Sequence, residues 1–229
     1  MNFMSPIQKT LASLIVIFIT SLQSIGQTGN VITKCYGQGS LGGGSFNNFY
    51  SDLSLETVFK NKWSASIMYQ DLEMKPNNVP GDYIPATREG FVLFFPYAST
   101  IPVDNVDMHL ISVTGGRYFR LGRNTWATTE AGLSFVKGEK LKFTPVPIQH
   151  ESSDGILGSE DYTSSNYETT HESKNTIGAM VKADINWAFA SFMGIGAGVY
   201  GSFNSIQSPV GYHIKLMIGM TGKQKKHSR

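Results

Sequence analysis

Between residues 176 and 203 the side chains change character at every step, and no other feature constrains the fold of this chain as tightly. Ile177, Ala179, Val181, Ala183, Ile185, Trp187 and Phe189 alternate with Gly178, Met180, Lys182, Asp184, Asn186 and Ala188. After a short break, Met193, Ile195, Ala197, Val199 and Phe203 stand opposite Gly194, Gly196 and Gly198. A period of two puts successive side chains on opposite faces of a strand, one apolar and one polar. What remains open is whether the apolar face meets a protein core or lipid.

The same rhythm marks eight segments: 33–45, 51–59, 63–74, 108–120, 125–139, the two just described, and 210–221. In 108–120 the register blurs at Gly115–Gly116, where a bulge is expected. The first segment, TKCYGQGSLGGGS, is the weakest because its glycines obscure the alternation. No amphipathic helix of useful length competes and no linker divides the chain, so one all-β domain is predicted. The connections are unequal. KNK, LGRN and a break at Ala190–Phe192 are short, whereas the polar stretches 75–107 and 140–174 are long. In a meander, alternate connections lie at opposite ends, so tight turns gather at one end and both long loops at the other.

Both lipid and a protein core fit the alternation, because a soluble lipocalin-like barrel would turn the apolar set inward. Three features favour lipid: the loop asymmetry, the aromatics at the short turns, and glycines on the polar face. Phe59, Trp63, Phe119, Trp126, Trp187 and Phe189 form a girdle near one membrane surface. Parity from Ala127 directs Trp126 inward unless the strand end twists. Glycines weaken a water-facing strand but suit the crowded interior of a narrow barrel. The expected fold is an eight-stranded antiparallel up-and-down transmembrane β-barrel with short periplasmic turns and two long external loops.

The N-terminus adds a destination. Lys9, the apolar run TLASLIVIFITSL, and Ser24 and Gly26 before Gln27 form a secretory signal peptide over 1–26. The barrel would occupy 27–222, followed by a basic tail, 223–229. The single Cys35 excludes an intramolecular disulfide framework and a CxxC motif, and reads as an incidental strand thiol. A net charge of +2 gives no argument for nucleic acid.

With the signal peptide, eight strands and a GxGxG-rich seventh strand on the page, the chain resembles the small OmpA/OmpX-type outer-membrane β-barrels, particularly the barrel-only proteins of Bacteroidetes-like bacteria. The resemblance covers about 33–222 and implies residence in the outer membrane, contact with its lipid and lipopolysaccharide, insertion by the barrel-assembly machinery, and a monomer. The family commonly ends on an aromatic residue; here the last strand runs to Met220 and the hydrophilic TGKQKKHSR follows.

Polar residues directed into the lumen should pair across it. Glu56, Glu130, Lys182, Asp184, His213 and Lys215 form this set, with Arg117 or Arg120 as further candidates. A register-fixing plug is expected rather than a pore, since eight strands leave an interior just filled by side chains. Small barrels resembling lipid A deacylases use a His-x-Ser pair with an acidic partner. His171 and Ser173 have those residue types, but Asp184 lies eleven residues beyond Ser173 on the same strand, about 36 Å at ~3.3 Å per residue. Glu168 is the loop carboxylate in reach. Catalysis is not expected, nor are a cofactor or a metal site, as the histidines lack ligand spacing. The 151–172 stretch, with Glu151, Asp154, Glu160, Asp161, Glu168 and Glu172, reads as a solvated external loop. The functional reading is a non-enzymatic outer-membrane protein with an envelope-structural or surface role, taking any external ligand at loops 75–107 and 140–174. The alternatives are a narrow small-solute channel and a soluble barrel binding an apolar ligand.

Overall fold

The computed structural model describes residues 32–92, 95–155 and 158–220. The signal peptide and basic tail expected from the sequence lie outside these residues. Twelve strands follow in chain order: β1 Ile32–Gly44, β2 Phe49–Phe59, β3 Trp63–Met74, β4 Thr87–Val92, β5 Phe95–Thr100, β6 Val106–Arg120, β7 Thr125–Pro145, β8 His150–Gly155, β9 Gly158–Thr163, β10 Tyr167–Ala188, β11 Met193–Phe203 and β12 Val210–Met220.

Eight of them close into an antiparallel barrel in the order β1-β12-β11-β10-β7-β6-β3-β2. Closure pairs the first strand with the last, Cys35 opposite Met220 through Gly44 opposite Gly211. It leaves no free barrel edge, which is what a strand bundle in hydrocarbon requires. The register is unbroken at Gly115 and Gly116 on both neighbours, so the bulge expected there is absent. The described irregularity falls instead between Ile32 and Lys34 of β1.

The faces are inside out. Leu53, Val113, Leu133, Phe135, Ile177, Ile185, Tyr212, Ile214 and Ile218 are all exposed on the outer surface. Lys182, Asp184, Asn186, Glu56, Glu130, His213 and Lys215 are buried within. This overturns the soluble-barrel alternative, which needs the opposite arrangement. Burial of so much charge with exposure of so much hydrocarbon is stable only where lipid surrounds the cylinder.

The short-turn end is held by tight hairpins. Between β2 and β3, Lys62 N–H donates to Phe59 C=O at 3.0 Å. Lys60 (φ 48°) and Asn61 (φ 53°) both adopt the left-handed region. Two successive positive φ values match the twist of the flanking strands, and asparagine tolerates the region better than lysine does.

At the other end β7 and β10 are longer than the 125–139 and 176–189 expected, pairing without interruption from Thr125–Trp187 to Pro145–Tyr167. They project beyond β6 as a two-stranded ribbon. The two long connections are not plain loops. They supply β4, β5, β8 and β9, which form a second sheet in the order β5-β4-β9-β8. Its central pair joins Thr87 to Thr163 and Glu89 to Asp161. Polar strands paired across more than seventy residues leave no hydrophobic period to read, which is why 151–172 looked like a solvated loop.

The Lys60 conformation gives a first expectation. Lys60→Gly removes a strained Cβ, so the folded barrel should gain about 0.5–1 kcal/mol, read as a rise in urea midpoint in lipid vesicles.

Candidate functional site

The lumen is stacked in three layers set by strand parity. At the short-turn end an apolar layer of Tyr36, Val58, Tyr118, Trp126, Ala188 and Met217 packs together. Trp126 is 1% exposed and lies edge-on to Tyr36 at 6.1 Å, with the Lys34 ammonium 3.8 Å from the centre of its ring. The strand end does not twist it outward, so Trp126 is removed from the girdle expected from the sequence. Phe119, Trp63, Trp187 and Phe189 are exposed on the outer surface at that end, and Phe59 is half-buried there.

At the long-connection end a larger apolar layer closes the barrel. Tyr50, Met68, Leu72, Met74, Val106, Met108, Leu110, Val136, Met180 and Tyr200 pack there with Leu141 and with Ile206 from the β11–β12 connection. Tyr50 stacks on Tyr200 at 4.2 Å between ring centres.

Between these layers lies the charge. Lys182 Nζ stands 3.3 Å from Glu130 Oε2, 3.7 Å from Asp184 Oδ2 and 3.8 Å from Glu56 Oε2. Lys215 donates to Asp184 Oδ2 at 2.7 Å and lies 3.8 Å from Glu56 Oε2. His213 Nε2 is 2.9 Å from Asp184 Oδ1. All six residues named from the sequence thus meet in one buried cluster contributed by β2, β7, β10 and β12. Hydroxyls complete it: Tyr36 donates to Glu56 Oε1 at 2.7 Å, and Ser66 and Thr114 donate to Glu130 Oε2 at 2.8 and 2.7 Å.

Sequence reasoning passed over Tyr36, Ser66 and Thr114, and also Tyr50, which donates to Asp52. Inward parity on their strands would have found them. The two arginine candidates do not belong to the cluster. Arg117 faces outward, its guanidinium carbon 4.4 Å from the centre of the Trp63 ring. Arg120 is exposed at the last position of β6 and donates Nε–H to Gly122 C=O at 3.1 Å. The odd residues of β6 face lipid, and Arg117 follows that parity.

Two glycines of β11 make room for the cluster. Gly198 is directly opposite Asp184 and Gly196 opposite Asn186. A Cβ on Gly198 would overlap the Asp184 carboxylate, and one on Gly196 would crowd Asn186 and the Lys215 chain. The GxGxG run is therefore a space requirement of the polar layer rather than a turn signal.

Outside the barrel, His171 sits on the projecting ribbon. Its Nδ1 is 2.7 Å from Glu139 Oε2 and its Nε2 is 3.8 Å from Asp104 Oδ2. Both ring nitrogens face carboxylates, and among the described residues no hydrogen bond joins His171 to Ser173. The acid beside His171 is Glu139 across the β7–β10 pair, not Glu168. An imidazole with both nitrogens so engaged is placed to tie the segment around Asp104 to the ribbon, not to activate a serine.

The long connections are held by specific ties. Asn166 accepts Ile84 N–H at 2.7 Å and donates to Asp82 C=O at 2.8 Å. Tyr167 donates its hydroxyl to the Asp82 carboxylate at 2.9 Å, a bond that raises its pKa above the usual phenol value. Arg88 pairs with Glu160 at 2.6 Å within the outer sheet.

A closed, even-numbered antiparallel barrel with hydrocarbon outside and charge inside is the architecture of an outer-membrane β-barrel. No family model and no curated protein matches the chain. Among solved structures, the N-terminal β-barrel domain of Pseudomonas aeruginosa OprF is similar with a TM-score of 0.45 at 8% identity, over 82% of this chain and 97% of that one. Neisserial surface protein A (NspA) has a TM-score of 0.44 at 10% identity, over 83% and 97%. Ail, the attachment invasion locus protein of Yersinia pestis, has 0.41 at 12% identity, over 81% and 94%.

Removal of one partner from the buried cluster should be severe. Lys182→Met leaves Glu56, Glu130 and Asp184 with one lysine fewer, and a loss of about 3–5 kcal/mol is expected, measured by urea unfolding in vesicles. Lys182→Met combined with Glu130→Gln should recover part of that loss.

Proposed function

We propose that this protein acts at the cell surface without catalysis, the barrel serving as a rigid mount for the sheet formed by β4, β5, β8 and β9. The observation that carries this reading is the three-layered lumen. Two apolar layers enclose an ion cluster in which every member lies within 3.8 Å of at least one partner. A conduction path would need a continuous hydrated channel, and such packing leaves the solute little to follow. Function then falls on what stands outside the membrane: the ribbon, the outer sheet and the segments tied to them by Asn166, Tyr167 and His171.

In this reading the short turns face the periplasm and the long connections face outward, the arrangement general to bacterial outer-membrane barrels. The protein is a monomer, inserted by the barrel-assembly machinery, and its belt contacts lipid and lipopolysaccharide. A ligand would engage the outer sheet through polar contacts, as the described residues there are predominantly hydrophilic.

Two measurements test this. A single cysteine at Ser152 in a Cys35→Ser background should react with a membrane-impermeant maleimide on intact cells, and one at Asn124 should not; the reverse labelling would invert the topology. In planar bilayers the purified barrel should give no conductance steps. A cell lacking the protein separates the two roles: if a chain without 88–99 and 151–162 restores envelope resistance to detergent, the barrel itself is the functional part. If only the full chain restores the lost phenotype, the outer sheet is.

A further inference from the structure

The charges of this chain are sorted by position. The described short-turn segments carry Lys34, Lys60, Lys62, Arg117, Arg120 and Arg123, and none of the chain's 17 Asp and Glu residues falls in them. Every carboxylate lies in the lumen or towards the long connections. Lys34 turns inward over Trp126; the other five are exposed at the rim. Such complete segregation leaves an arc of positive charge over the β2–β3 and β6–β7 turns with no acidic side chain to neutralise it locally.

The arc coincides with the edge of the apolar belt. Phe59, Trp63 and Arg117 are direct neighbours across β2, β3 and β6. Four residues nearer the barrel centre, β3 and β6 present Ile67 and Val113, about 13 Å away at ~3.3 Å per residue. The exposed rings of Trp63, Phe119, Trp187 and Phe189 share this level. Aromatic side chains take up the boundary between hydrocarbon and headgroups.

Arg117 is the organised member. Its guanidinium is stacked on the half-exposed Trp63 ring at 4.4 Å, and among the described residues no carboxylate pairs with it. Stacking fixes the plane of the guanidinium while leaving its N–H edge free. That edge matches two oxygens of a phosphate. A cation held at headgroup depth, flanked by lysines on a tight turn and bordered by hydrocarbon, is complementary to an anionic amphiphile.

We propose that the short-turn rim is a docking surface for anionic phospholipid headgroups, with Arg117 on Trp63 as its centre and Lys60 and Lys62 beside it. The acyl chains continue along the apolar belt, and the phosphate meets the guanidinium. The rim thereby fixes the depth of the barrel and gathers acidic lipid around that end.

Lipid selectivity measured by electron spin resonance tests this on the full chain refolded in phosphatidylcholine bilayers. Spin-labelled phosphatidylglycerol should associate roughly three- to tenfold more strongly than spin-labelled phosphatidylcholine. The preference should fall towards unity at about 1 M salt, where the screening length is ~3 Å. Arg117→Gln combined with Lys60→Gln and Lys62→Gln should abolish it, while Lys140→Gln with Lys142→Gln at the opposite end should leave it intact. Heat-modifiable migration on gels confirms that each variant is folded. Equal association of the two lipids with the unmodified barrel overturns the proposal, as does a preference that survives the triple substitution. Co-sedimentation with peptidoglycan in place of lipid preference overturns it as well, since the rim would then be reading cell-wall carboxylates.

Discussion

The ion cluster around Lys182 is the interaction on which the rest of the structure depends. Two lysines and three carboxylates inside a narrow cylinder are stable only if they face one another, because neither lipid nor the apolar layers above and below can solvate them. That requirement sets the register of β2, β7, β10 and β12 relative to each other. A shift of one residue on any of these strands would send its charges into hydrocarbon and its leucines or isoleucines into the lumen. The glycines of β11 belong to the same requirement, since Asp184 and Asn186 occupy the space that side chains at 198 and 196 would fill.

The apolar layers have a complementary part. Trp126 with Tyr36, Tyr118 and Met217 closes one end, and Tyr50 with Tyr200, Leu110 and Met180 closes the other. Each lies between the cluster and one end of the barrel, and these low-polarity surroundings strengthen the attraction between its charges. The barrel is thus held together from within, and the segments outside it have no structural duty to the membrane. The ribbon of β7 and β10 carries that rigidity outward, where Asn166 and Tyr167 dock the segment around Asp82.

Charge is distributed along the axis as well as across it. Acidic side chains crowd the long-connection end, cations alone mark the short-turn rim, and the middle is internally paired. An overall charge of +2 hides this sorting. Composition placed the chain outside the nucleic-acid binders, but only the fold revealed that its two ends present opposite fields.

Alternation marked the strands, and the unequal connections and turn aromatics made them a membrane barrel. The segments were legible in the period of two, least so 33–45, where glycines blur it, and 108–120 near Gly115–Gly116, because each barrel strand has one face in lipid and one in the lumen. The six lumen charges were legible for the same reason, as was the position of Phe119, Trp63, Trp187 and Phe189 beside the short turns. Trp126 was misplaced because a girdle was assigned by nearness to a turn, whereas parity decides which face a residue occupies. The outer sheet was invisible because its strands pair backbone to backbone across distant, polar segments whose side chains carry no common period. The partner of His171 was invisible too, since Glu139 comes beside it only when β7 and β10 align. Local pattern settles which face a side chain takes; which distant residues become neighbours depends on register, and register exists only once the cylinder has closed.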